Sequence, residues 1–337
     1  MDTPHPTPPP RRPAVTFVMP AYNAALYIDE AIVSIAGQSF GDWELIVVND
    51  LSTDDTARIA REWAAREPRI KVLQTERQTG SAFIPRKTAI EAAQSELICC
   101  VDADDRISPD FLEVMMKRRA DTGADIVYPS MWRLNREAPR RLLPLDKKLC
   151  DTTMEGKEAV RLTLDGWSIN TNGALKERRL YMSLYGRMPD FPCHTYADEL
   201  LTRYLMYDAR KVAICGEAAY YYRLNPGSVT HKVSAGQLRY LLNNLTLISF
   251  TRERYGLGSE EYLRAQKQNF WGYYSALRTL AGSKLPEGEA EEVRHMTARA
   301  REAIDYGLIK SSLSWRFRLI HMLPEQAFIL FRKFKRT

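Results

Sequence analysis

Short apolar runs alternate with amphipathic stretches through the first 130 residues. The runs are VTFVM at 15–19, ELIVV at 44–48, IKVL at 70–73, LICCV at 97–101 and ADIVYP at 124–129. Between them the apolar positions recur at helical spacing over 25–38, 54–66 and 86–94, and a further helix is opened by Ser108-Pro109. Strands that are apolar throughout are buried on both faces, so the alternation predicts an α/β layer architecture with a mostly parallel sheet between helices. After about residue 150 the pattern turns helical, interrupted by a β-like pair, VAIC at 212–215 and AAYYYRL at 218–224. From 234 onward it is helical almost to the end, with a break at 282–288, which predicts a C-terminal helical extension.

The chain has 337 residues, 45% apolar and 27% charged, which excludes a coiled coil, a collagen or a largely disordered chain. Residues 1–13 hold six of the 18 prolines and are expected to form a disordered leader. They lack the apolar core of a signal peptide, and no apolar run reaches the roughly 18 residues needed to cross a bilayer, so a cytoplasmic protein is expected. The net charge of +6 is concentrated: residues 1–13 carry +1, residues 316–337 carry +5, and the body between is neutral. A neutral body speaks against nucleic acid as a partner. The tail, with aromatics and aliphatics among its basic residues, either lies on an anionic membrane surface or packs on the body. The five cysteines show no zinc or disulfide spacing and read as reduced thiols.

In open α/β sheets ligands sit at the carboxyl ends of the strands. The residues there are Pro20-Ala21-Tyr22-Asn23, then Asn49 to Asp54, then Asp102-Ala103-Asp104-Asp105. The absence of a glycine-rich phosphate loop after any strand argues against dinucleotide enzymes and P-loop NTPases. Three carboxylates leaving the edge of a buried strand repel one another, and oxygen ligands without Cys or His suit Mg²⁺ or Mn²⁺ shared with a substrate phosphate. The alternative is that Asp105 and its neighbours cap the helix near Ser108. Asp50 is placed either to accept from a nucleobase N–H or to cap a helix, and Tyr22 either to stack on a ligand or to pack on the sheet.

Two segments carry a specific resemblance: VTFVMPAYNAALYIDEAIVSIAGQSFGDWELIVVNDLSTDDT and GSAFIPRKTAIEAAQSELICCVDADD. Residues 15–130 resemble the N-terminal half of family 2 glycosyltransferases. The resemblance implies the GT-A nucleotide-diphospho-sugar transferase fold. It also implies that Pro20, Ala21, Tyr22, Asn23 and Asp50 hold the base and ribose, with Arg86 near the nucleotide. Asp102 and Asp104 would address the ribose and the diphosphate, Asp104 through the metal. Two departures stand out: Asn49 and Leu51 replace the usual Asp and Gly, and Ile84-Pro85-Arg86-Lys87 replaces Ala-Ala-Arg-Asn.

Further along, Thr195-Tyr196-Ala197-Asp198-Glu199 resembles the segment bearing the family's catalytic carboxylate, with Ala197 in place of a Glu. Asp198 is the expected general base and Glu199 the runner-up; the other reading is a helix start with acidic residues favoured by the dipole. Arg223, His231 and Lys232 either reach the leaving diphosphate or belong to an exposed turn. Trp167, Asn170 and Asn172 offer a sugar platform, or a core Trp with turn-forming Asn. The expected organisation is a leader over 1–13, a catalytic domain over 14–232, and a helical region over 233–337. Within the catalytic domain, 14–130 is the nucleotide-sugar half and 131–232 the acceptor half. The expected function is inverting, metal-dependent transfer of a sugar, from a UDP-sugar by preference, to a hydroxyl of a glycan or lipid-linked glycan acceptor in cell-surface polysaccharide synthesis. A nucleotidyltransferase or sugar-nucleotide pyrophosphorylase, and a non-catalytic glycan-binding protein, are the alternatives.

Overall fold

The computed structural model describes residues 12–134, 140–141, 149–164, 172–188, 197–223, 234–281, 285–315 and 317–318. The expected leader up to residue 11, Trp167, Asn170, Cys193, Thr195, Tyr196, His231, Lys232 and the tail beyond 318 lie outside the described residues. The first elements are β1 (Val15–Ala21), α1 (Ile28–Ala36), β2 (Trp43–Asn49), α2 (Thr56–Arg66), β3 (Ile70–Gln74), α3 (Phe83–Ala92) and β4 (Leu97–Cys100). They are followed by β5 (Arg106–Ile107), α4 (Phe111–Thr122), β6 (Ile126–Leu134), β7 (Arg140–Arg141), β8 (Thr153–Glu155), α5 (Gly156–Leu164), β9 (Leu175–Glu177) and α6 (Arg178–Arg187). The chain continues through α7 (Ala197–Asp208), β10 (Lys211–Arg223), α8 (Ala235–Leu238), α9 (Tyr240–Tyr255), α10 (Glu260–Ala281), α11 (Glu287–Glu302) and α12 (Tyr306–Ile309).

Two compact units are present, one of 1–156, 171–187 and 208–224, the other of 157–170, 188–207 and 225–337. The first contains the sheet, ordered β3-β2-β1-β4-β9-β6-β10-β5. β1 pairs in parallel with β2 and β4, β2 with β3, and β6 with β10. This confirms the α/β class and the mostly parallel sheet. The short strands depart from it: β9 runs antiparallel between β4 and β6, β5 and β8 antiparallel to β10, and β7 antiparallel to β6. The β-like pair of the sequence is a single strand, β10, whose register against β6 shifts between Cys215 and Ala219.

The inner parallel strands are largely apolar because both faces are covered: every residue of β2 is buried. The acid in that strand is matched. Glu44 accepts from the Thr16 hydroxyl at 2.7 Å and pairs with the Lys71 ammonium at 2.7 Å. Burial pushes its carboxyl up, but the Lys71, Thr16 and Gln94 hydrogen bonds outweigh it and hold the pKa below the usual range. In the second unit α9, α10 and α11 pack together around Leu241, Phe270, Tyr273, Leu277, Val293 and Met296.

Gly173, just before β9, is where the sheet meets the acidic loop. Its φ is +70°, and a Cβ there would lie 2.6 Å from Cδ2 of Tyr220 and 2.9 Å from Pro129 Cγ. Its N–H donates to the Cys100 carbonyl at 2.7 Å, which brings Asn172 alongside the end of β4. Gly173→Ala is therefore expected to destabilise the protein by about 2–4 kcal/mol, through the left-handed backbone and the clash together. Thermal or urea unfolding against the parent measures this.

Candidate functional site

The carboxyl ends of β1, β2 and β4 form one rim within the first unit, as parallel pairing of these three strands requires. The loops after β1 and β2 are stitched together. The Asn23 amide donates to the Ser52 hydroxyl at 3.1 Å, and Thr53 N–H donates to Asn23 Oδ1 at 2.8 Å. Ala24 N–H donates to Thr56 Oγ1 at 2.7 Å, and Ala25 N–H to Asp54 Oδ2 at 3.1 Å. Asn23 has φ +47°, a conformation Asn tolerates because its side chain bonds locally. Pro20 and Ala21 complete β1, and Tyr22 is exposed beside them.

Asp50 is buried, and its amide donates to the Ala21 carbonyl at 2.8 Å. Its carboxylate accepts from the Thr75 hydroxyl at 2.8 Å, the Thr79 hydroxyl at 2.9 Å and the Thr79 N–H at 3.1 Å. In this conformation Asp50 thus shapes the segment that follows β3. Asn49, where the resemblance leads one to expect an acid, uses both halves of its amide: Nδ2 donates to Gln74 Oε1 at 3.2 Å and Oδ1 accepts from Ser52 N–H at 3.2 Å. A carboxylate could not supply the donor.

The acidic run after β4 separates into two kinds of group. Asp102 is half-buried and its two oxygens are both engaged. Oδ1 accepts from Arg86 Nη2 at 2.6 Å, and Oδ2 accepts from Asn172 Nδ2. Arg86 is 3% exposed and also donates to Asn172 Oδ1 at 2.9 Å, so the three side chains close a ring. Asp105 turns inward and is 1% exposed. It accepts from Tyr220 Oη at 2.6 Å and from Arg223 N–H at 2.8 Å. Burial, then repulsion from Asp102 and Asp104, push its pKa well above the usual carboxylate range, and burial and Asp105 push the Tyr220 phenol up. The three carboxylates do not emerge together: Asp102 and Asp104 are partly exposed while Asp105 is a core group. It does not cap α4 either, since Asp110 occupies that position.

Arg223 closes the far side. Its Nε donates to the Asp104 carbonyl at 2.9 Å, its Nη2 pairs with Glu30, and its guanidinium lies 4.8 Å from the Tyr27 ring centroid. The residues brought together in the first unit are therefore Pro20 to Asn23 with Asp50, and Arg86, Asp102, Asp104 and Arg223 with Asn172, Asp105 and Tyr220. Asn172 contacts an aspartate and an arginine here. Asp198 is half-buried in the first turn of α7, in the second unit. Its neighbour Glu199 pairs with Arg203 at 3.5 Å, and Arg203, buried, donates to Thr163 Oγ1 at 2.9 Å. His231 is outside the described residues.

Residues 16–173 match the family model for glycosyl transferase family 2. The putative teichuronic acid biosynthesis glycosyltransferase TuaG of Bacillus subtilis (strain 168) is 36% identical over 106 residues, 32% of this chain and 42% of the relative. The poly(ribitol-phosphate) beta-N-acetylglucosaminyltransferase TarS of Staphylococcus aureus (strain Mu50 / ATCC 700699) is 27% identical over 210 residues, 61% of this chain and 34% of that protein. The chain thus spans less than half the length of these curated relatives. The crystal structure of S. aureus TarS 1–349 in complex with UDP-GlcNAc superimposes with a TM-score of 0.64 at 20% identity, covering 87% of this chain and 82% of that one. The mannosyltransferase PcManGT from Pyrobaculum calidifontis, solved with GDP-Man and Mn²⁺, gives 0.52 at 19% identity over 95% and 86% of the two chains. The architecture is the GT-A fold.

Leu51, where the family usually has Gly, has φ +55°. The left-handed conformation costs Leu about 1–2 kcal/mol and Gly's extra chain entropy returns part of that. Leu51→Gly should therefore raise stability by about 0.5–1 kcal/mol, read as a Tm increase of about 1–4 °C. The similarity of the chain to glycosyl transferase family 2 extends over residues 16–173.

Proposed function

We propose that the protein is an inverting, metal-dependent glycosyltransferase acting on a UDP-sugar. The acceptor is a hydroxyl of a glycan or lipid-linked glycan, and the reaction serves cell-surface polysaccharide synthesis in the cytoplasm, at the inner face of the membrane. The observation that carries the reading is the ring of Arg86, Asp102 and Asn172 at the end of β4, with Asp104 two residues on. The match of residues 16–173 to the glycosyl transferase family 2 model and the UDP-GlcNAc complex of TarS support it.

Among the described residues no three acids, histidines or cysteines gather as a ready-made metal site, so a hard divalent cation would be held by Asp104 together with the oxygens of the donor diphosphate. Both Asp102 oxygens accept from protein groups, which fixes the carboxylate in place; its remaining lone pairs would meet a ribose hydroxyl, and the partly exposed Asp104 carboxylate is the oxygen ligand suited to Mg²⁺ or Mn²⁺. Such an ion, when bound with the diphosphate, supplies positive charge against the departing nucleoside diphosphate. Arg223 holds the Asp104 backbone in place. The base contacts come from Asp50 and the segment Pro20–Asn23, with Tyr22 offering a ring face. Asp198 removes the acceptor proton as the new glycosidic bond forms; its competitor Glu199 is already paired with Arg203.

Asp198→Asn is expected to lower sugar transfer by about 10²–10⁴-fold while leaving UDP-sugar binding intact, measured by transfer of radiolabelled sugar alongside a thermal-shift titration. Transfer at the parental rate would remove Asp198 from the role. Asp104→Asn is expected to abolish the part of UDP-sugar stabilisation that depends on Mn²⁺, read as loss of the difference in Tm with and without the ion. Pyrophosphate-linked products in place of a glycoside would show a nucleotidyltransferase instead.

A further inference from the structure

We propose, on the reading of Asp104 as the oxygen ligand, that Tyr220 is a positioning residue for the cation, its phenol holding both ends of the turn that presents Asp104. The turn runs from Asp102 to Asp105 and closes with the Asp105 N–H donating to the Asp102 carbonyl at 3.1 Å. The Tyr220 hydroxyl grips it at either end. It accepts from the Asp102 N–H at 3.3 Å and donates to Asp105 Oδ2 at 2.6 Å. Arg223, three residues on along β10, completes the clamp. Its N–H donates to Asp105 Oδ1 at 2.8 Å and its Nε to the Asp104 carbonyl at 2.9 Å.

The phenol is itself immobilised. Tyr220 lies in β10 between β5 and β6, paired with Ile107 on one side and Met131 on the other. It is 0% exposed, whereas Tyr221 and Tyr222 are partly exposed. Its ring abuts Gly173, whose N–H holds the Cys100 carbonyl at 2.7 Å, just ahead of the turn. These contacts do more than bury an acid. The bonds to the Asp105 carboxylate satisfy that group, but those to the Asp102 N–H and the Asp104 carbonyl act on the backbone that carries the Asp104 side chain. A partly exposed ligand keeps its orientation through the groups behind it, and removing one such group typically costs about 10–100-fold in metal affinity.

The test is calorimetric titration of the full chain with UDP, in Mn²⁺ and in EDTA, at a temperature where circular dichroism shows each variant folded. The parent should bind UDP more tightly in Mn²⁺. Tyr220→Phe keeps the ring and deletes the hydroxyl. It should shrink the ratio of the two affinities by about tenfold and leave the affinity in EDTA unchanged. Thr16→Val controls for lost stability, since it deletes a buried hydroxyl that donates to Glu44 at 2.7 Å, at the end of β1 away from the rim. That variant should lower Tm and keep the parental ratio. Arg223→Lys, which loses the Nε donor at a partly exposed position, should shrink the ratio as Tyr220→Phe does, and replaces it where Tyr220→Phe does not fold. A parental ratio in these β10 variants, or an equal loss in Thr16→Val, overturns the proposal and leaves the metal reading standing. A parent that does not bind UDP, or binds it equally in Mn²⁺ and in EDTA, overturns that reading and this assignment with it.

Discussion

Repulsion among Asp102, Asp104 and Asp105 is the constraint around which the first unit is arranged. Three carboxylates within four residues, at the end of a buried strand, need counter-charge and donors that the strand itself does not have. The protein draws them from far away in sequence. Arg86 arrives from α3, Asn172 from the segment before β9, and Tyr220 and Arg223 from the last strand of the sheet. Each supplies one part of the compensation. The guanidinium neutralises Asp102, the phenol and a backbone N–H take Asp105 into the core, and Arg223 anchors the carbonyl of Asp104. The result is one fixed carboxylate, one partly exposed carboxylate and one interior carboxyl group whose ionisation is disfavoured.

The neighbouring loops follow a different logic, because their contacts are hydrogen bonds from hydroxyls and amides rather than ion pairs. Asn23 bonds Ser52 and Thr53, and Ala24 N–H donates to the Thr56 hydroxyl, across the gap between β1 and β2, so neither loop can move without the other. Asp50 extends the same mesh to Thr75 and Thr79. In this mesh the Asp50 and Asp54 carboxylates also accept from hydroxyl and backbone N–H donors, which gives the loops a defined shape.

The alternation of apolar runs and helical spacing made the parallel strands legible, because burial on both faces leaves a strong compositional trace. The reversed strand left none. β9 is three residues long and centred on Lys176, which reads as a surface residue yet is 0% exposed, with its ammonium 5.5 Å from the Tyr128 ring and 6.0 Å from the Tyr181 ring. Periodicity cannot reveal a strand of that length or a charge placed among aromatic faces. In the rim, the loop residues were visible through the resemblance, but their partners were not. Nothing local distinguishes Tyr220 from Tyr221 and Tyr222, and Asn172 contacts a residue 70 positions away. Such pairings are set by strand order, which one sequence does not display.

The reversed strand also bears on how this polypeptide can be divided. Because β9 sits between β4 and β6, a fragment ending near residue 150 would contain both of those strands but not the one that joins them. The two halves of the sheet would meet along unsatisfied edges, exposed to pairing with other chains. Dissection at the point where the sequence changes character should accordingly yield insoluble pieces, and the stretch up to Arg223 is the smallest that closes the ladder.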